Sequence, residues 1–172
     1  MSRTSRTLIE CACYHIITRG NQRQKVFKNN DDYDRYITTL KKAKKKYNIL
    51  LYSYCLMPNH VHLLIEPESC ISLSGFMHWL SRGYTAYFNA KYIKVGHLWQ
   101  GRFKSKPIVK GQYLINCAEY IEANPVRANI TTDISGYPWS SYKERCLSTA
   151  KYILDEILIK DTDIKERGQV SR

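Results

Sequence analysis

Residues 49–66, ILLYSYCLMPNHVHLLIE, decide the fold. Two apolar and aromatic runs, 49–57 and 60–66, read as strands. Pro58 and Asn59 between them form a turn pair, because proline presets its backbone angle and asparagine tolerates turn conformations. So short a connection returns the chain antiparallel. In the second strand His60 and His62 stand two residues apart, so their side chains share one sheet face while Val61 points to the other. Two neighbouring imidazoles suit a metal ion. Two histidines that merely pack across strands are the alternative.

Upstream, residues 13–18 (CYHIIT) read as a strand and RGNQRQ as a polar loop. A helix is expected from about Asp31 to Tyr47, with Tyr33, Tyr36, Ile37, Leu40, Ala43 and Tyr47 at helical spacing. Asp31 or Asp32 can cap it. Lys41, Lys42, Lys44, Lys45 and Lys46 fill its other face and read as a solvated surface near the negative helix end. Downstream, a helix runs from about Leu73 to Tyr92, with Leu73, Phe76, Met77, Leu80, Tyr84, Tyr87 and Phe88 as its stripe. A loop with Gly96 and Gly101, a strand near 103–109 and a third helix near 112–123 follow. Tyr113, Leu114, Cys117, Ala118 and Ile121 should face inward on that helix. After the turn-rich SGYPWSSY, a weak helix near 151–160 and a disordered tail from Lys165 are expected.

The order strand, helix, strand, strand, helix, strand, helix predicts an α+β chain of the ferredoxin-like, split βαβ plan. That plan is an antiparallel sheet with helices on one face. One domain should cover 1–145, leaving 146–172 for a C-terminal helix and a flexible tail.

Charge points to a polyanion: 27 Lys+Arg face 15 Asp+Glu, a formal net charge of +12. Fourteen tyrosines, most of them close to lysine or arginine, can stack on unpaired bases, or simply lie half-buried in helices and strands. At 44% hydrophobic residues the chain is not a disordered one. The cysteines, Cys11, Cys13, Cys55, Cys70, Cys117 and Cys146, include no CxxC pair, and MSRTSRT offers no apolar leader. Reduced thiols in a cytoplasmic protein are therefore expected. No apolar run approaches the roughly 20 residues of a membrane span.

On the third helix Tyr120 and Asn124 stand one turn apart, on one side. The phenol can serve as a nucleophile and the amide oxygen as a metal ligand. The alternatives are a hydrogen-bonded core tyrosine, and an asparagine that caps the turn opened by Pro125. Candidate DNA contacts are Arg19, Asn21, Arg23 and Lys25 in the polar loop, and Arg102, Lys104 and Lys106 alternating along a strand. Arg127 is another, unless it pairs with Glu119 or Glu122. Trp99 can stack on a base or simply pack.

Five stretches carry a resemblance: YHIITRGNQRQKVF (14–27), YCLMPNHVHLLIEP (54–67), GHLWQGRFKSKPI (96–108), YIEANPVRANI (120–130) and YPWSSY (137–142). In that order they resemble the REP-associated tyrosine transposases, a branch of the HUH transposase superfamily. The resemblance implies an HUH-type nuclease fold, with His60 and His62 as the metal pair, Asn124 as third ligand and Tyr120 as nucleophile. It implies Mg²⁺ or Mn²⁺ as the working ion, single-stranded DNA near palindromic hairpins as substrate, and a 5′-phosphotyrosine intermediate. Glu122 and Ala123 look free to vary. Monomer and homodimer both stay open. So do two other functions: a hairpin-binding module without catalysis, and a zinc hydrolase with Glu66 as its base.

Overall fold

The computed structural model describes residues 12–147 and 153–157. β1 (Cys13–Arg19), β2 (Ile49–Met57), β3 (His60–Pro67) and β4 (Lys104–Ile108) form one sheet in the spatial order β2-β3-β1-β4. All pairings are antiparallel. α1 (Asn30–Lys46) joins β1 to β2, and α2 (Cys70–Tyr92) joins β3 to β4. This is the expected α+β, ferredoxin-like order. The turn at Pro58 and Asn59 sets Met57 opposite His60.

α1 begins one residue earlier than its stripe suggested, because Asn29 is the cap. Its side chain accepts from the Asp32 backbone N–H, and the Asp32 carboxylate accepts in return from the backbone N–H of Asn29. Asp32 is fully buried and also receives Lys91, Tyr87 and Tyr92 from α2, which locks the two helices together. α1 and α2 cover one sheet face, meeting Tyr14, Ile16, Tyr54, Leu56, Val61, Leu63 and Ile65.

The expectation of helices on one face does not hold for α3 (Gln112–Glu122). β2 and β3 are buried on both sides, and Tyr52, Cys55, Met57 and Leu64 need a second cover. α3 supplies it with Leu114, Ala118 and Ile121. Tyr113, expected inward, is instead exposed. A short α4 (Asn124–Arg127) follows directly.

β2 lies at one end of the sheet, and its outer edge is closed by later chain. Leu56 N–H donates to the Trp139 carbonyl, and Ser141 N–H donates to that of Tyr54. Further along, Leu51 N–H donates to the Asp155 carboxylate and Asp155 N–H to Leu51 O. Covering backbone groups in this way removes a template for unwanted pairing. Lys44 ion-pairs with Asp155 at 2.7 Å, so the lysine face of α1 is partly tied down. α5 (Tyr142–Leu147) follows the first of these segments. Residues 153–157 are not helical: Asp155 N–H donates to Leu51 O on β2, while the N–H groups of Ile153 and Leu154 donate to the Glu144 carboxylate. The remainder of the expected helix near 151–160, the tail from Lys165 and Cys11 lie outside the described residues. Among the described residues, no helix is long and apolar enough to cross a membrane, and Cys13, Cys55, Cys70, Cys117 and Cys146 are free thiols.

Candidate active site

His62 sits opposite Cys55 on β2 and Ile17 on β1, on the face that α3 covers. His60 follows the same alternation, with Arg19 across from it. Their ring centroids are 4.9 Å apart. A third imidazole joins them. His15 Nε2 lies 2.8 Å from His62 Nδ1, and the two ring centroids are 5.1 Å apart. His60 Nδ1 lies 2.6 Å from Asn59 Oδ1. Both members of the HxH pair thus have Nδ1 engaged, which leaves Nε2 as the nitrogen free to ligate. His15 was legible in the sequence as a histidine on a strand. Its partnership with His62 depends on register, which no local pattern in the sequence reveals.

Burial sets the charge of this cluster. Desolvation, with a smaller push from Lys106, lowers His15 to about 4. Desolvation and then Arg19 lower His60 to about 4. Desolvation, followed by His60, His15 and Arg19, lowers His62 to about 3. Neutral rings with open lone pairs are the form that binds metal. The same shifts predict a pH effect on stability. An unfolded chain takes up these protons near pH 6.5, whereas the folded chain resists until about 4. The contribution is complete above about pH 6.5 and is lost progressively as pH falls from there to the folded values near 4. Urea unfolding of the metal-free protein should show a loss of at least about 2 kcal/mol between pH 7 and pH 5. A flat profile would mean that the rings are solvated.

α3 carries Tyr120 to this cluster. Its ring meets His15 edge-on at 6.1 Å between centroids and is 43% exposed. The guanidinium of Arg127 lies over the other part of the ring, 4.9 Å from its centroid. The alternative for Arg127, a pairing with Glu119 or Glu122, does not form. Glu122 is fully buried and takes Arg145 instead, through Nε at 3.1 Å and Nη2 at 2.6 Å, together with the Ser141 hydroxyl at 2.6 Å. This bridge fastens the end of α3 two residues beyond Tyr120. Glu122 had looked free to vary. Its place one turn after buried Ala118 was the available signal.

Asn124 donates from Nδ2 to the carbonyls of Tyr120 and Ile121, both at 3.0 Å. Its amide protons are thus occupied, and Oδ1 is the end available to a ligand. It opens α4, whose cap position is Ala123, so the capping role does not apply. Among the described residues, no group of three or more His, Cys, Asp or Glu side chains could hold a metal ion. His60 and His62 offer two imidazole nitrogens side by side, and Asn124, just past α3, offers one amide oxygen. Such a set fits a divalent ion that completes its shell with phosphate and water oxygens.

Cations border the site. Arg19, Arg23, Arg102 and Lys104, with Ile17 and Gln100, line a cavity of about 370 Å³. Lys106 pairs across from His15 and, with His15, Tyr113, Asn116 and Tyr120, lines a second cavity of about 600 Å³. Asn21 lines a third with His97, Trp99 and Arg102, and Lys25 is exposed on the same loop as Asn21. For Trp99 the structure shows the packing alternative. Its ring is buried against Tyr36 and Tyr84, with Nε1 3.4 Å from Ser81 O.

Residues 9–124 match the family model of IS200-like transposases. No protein with a curated description matches the chain in sequence. The fold is similar to that of a REP-associated tyrosine transposase solved bound to a REP hairpin, with a TM-score of 0.72 and 18% identity over 94% of this chain and 93% of that one. It is also similar to a protein from Deinococcus radiodurans R1 assigned as a transposase, with a TM-score of 0.50 and 20% identity over 70% of this chain and 96% of that one.

Proposed function

Because the chain belongs to the IS200-like transposase family, we propose that it cuts and rejoins single-stranded DNA through a covalent bond to Tyr120, in the manner of the REP-associated branch. One observation carries this reading: a half-exposed phenol stands at the rim of a buried, neutral histidine cluster whose surroundings are cationic.

The Tyr120 oxygen attacks the scissile phosphorus and forms a P–O bond as the bond to the leaving 3′ oxygen breaks. The phenol loses a proton and the 3′ oxygen gains one. The resulting 5′-phosphotyrosine keeps the energy of the phosphodiester, so an incoming 3′-OH can reverse the step without ATP. His60 Nε2, His62 Nε2 and Asn124 Oδ1 would hold Mg²⁺ or Mn²⁺, which when bound offsets negative charge building at the phosphate. Arg127 holds the Tyr120 ring, and the short α3–α4 junction holds Asn124 next to it.

The net charge of +12 and the cluster Arg19, Arg23, Arg102 and Lys104 support a nucleic-acid backbone as partner. The hairpin bound by the REP-associated protein supports a hairpin substrate for this chain. Arg102→Ala should weaken single-strand binding severalfold and lower the slope of log K against log salt by about 0.7. Fluorescence anisotropy at several salt concentrations reads both; an unchanged slope would remove Arg102 from the interface.

The direct test of the reaction uses labelled single-stranded hairpin DNA with Mn²⁺ and a denaturing gel. A band of DNA bound to protein, absent in chelator, is the expected result. A stable complex with no such band would instead make the chain a binding module.

A further inference from the structure

His15 has no part in the steps above, yet it is bonded to one of the proposed ligands. We propose that His15 is a positioning residue that accepts a hydrogen bond from His62 Nδ1–H, fixing the tautomer in which His62 Nε2 carries an open lone pair. The purpose of this bond rests on the metal reading given above; its direction can be tested apart from it.

The contact is short, with 2.8 Å between nitrogens. It is also secluded: His15 and His62 are 8% and 5% exposed, so water cannot readily replace either partner. Two neutral imidazoles in such a contact share a single proton. If His15 donated it, the remaining proton of His62 would sit on Nε2 and close the ligating nitrogen. If His15 accepts, Nε2 is open. Only the second arrangement matches the neighbouring ring. Asn59 Nδ2 donates to Arg23 O at 3.3 Å, so its Oδ1 is an acceptor, and His60 must present Nδ1–H to it. Asn59 and His15 thus perform the same service for adjacent histidines. Ligating histidines are commonly oriented by a partner on the other ring nitrogen, and loss of such a partner costs roughly 10–100-fold in metal affinity. The β1–β3 pairing, Ile17 opposite His62, is what brings His15 within reach.

The experiment is long-range ¹H–¹⁵N correlation of the histidine rings in the metal-free protein near neutral pH. His60 and His62 should both appear with the proton on Nδ1. In His15→Phe, His62 should move to the Nε2–H form while His60 stays as it was, an internal control that also reports an intact fold. His15→Gln, whose amide oxygen can reach the place of Nε2, should restore the original form. Mn²⁺ titration followed by EPR should show affinity about 10–100-fold weaker in His15→Phe and recovery in His15→Gln. A wild-type His62 protonated on Nε2, or a tautomer that ignores His15→Phe, overturns the proposal. Failure of the metal reading looks different: wild-type protein that takes up no Mn²⁺ while the tautomer pattern holds.

Discussion

Tyr120→Phe is expected to abolish the DNA–protein adduct and lower strand cleavage by at least about 10⁴-fold, because it removes the proposed attacking oxygen itself. The change deletes one atom from a ring that is 43% exposed. The edge contact with His15 and the Arg127 stacking use the ring itself and survive. Stability should therefore stay within about 0.5 kcal/mol of wild type, as at other exposed positions. Hairpin affinity should also be unchanged. Measured together, single-turnover cleavage, thermal melting and anisotropy separate chemistry from folding. Full cleavage in this variant would show that water or another residue attacks the phosphate.

The second large effect should come from a residue outside the chemistry. Arg145→Met leaves the Glu122 carboxylate fully buried without its cation, with only the Ser141 hydroxyl still donating. Breaking one side of a buried ion pair costs about 3 kcal/mol or more. For a chain of this length that corresponds to a drop in Tm of about 6–12 °C. Cleavage should fall further than the unfolded fraction explains, since the same bridge fastens the helix end beside Tyr120. The double change Glu122→Gln with Arg145→Met should regain most of the stability, because a buried amide asks for no counter-charge. A single variant that melts like wild type would mean that solvent already screens the pair.

The elements themselves were legible in the sequence because their signals are local. The alternation and turn of 49–66 fixed two strands, and the periodic stripes of α1 and α2 set those helices to within a few residues. The HxH pair and the spacing of Tyr120 and Asn124 likewise lie within short windows. What escaped depends on contacts distant in the chain. The role of His15 comes from pairing with a residue 47 positions away, and that of Glu122 from one 23 away. Trp99 carried no mark to separate a ring awaiting a base from one already packed on Tyr36 and Tyr84. The second-face position of α3 follows from the doubly apolar strands, but the periodicity of one helix does not say which layer it joins.

The closure of β2 by Trp139, Ser141 and Asp155 bears on how the protein is made. A ribosome releases β2 long before the segment that completes it, so the nascent sheet waits with an open flank until those later residues emerge. Arg145, which fastens the end of α3, arrives in the same late stretch. Products truncated before Trp139 would therefore lack both the flank of β2 and the cation that the buried Glu122 needs.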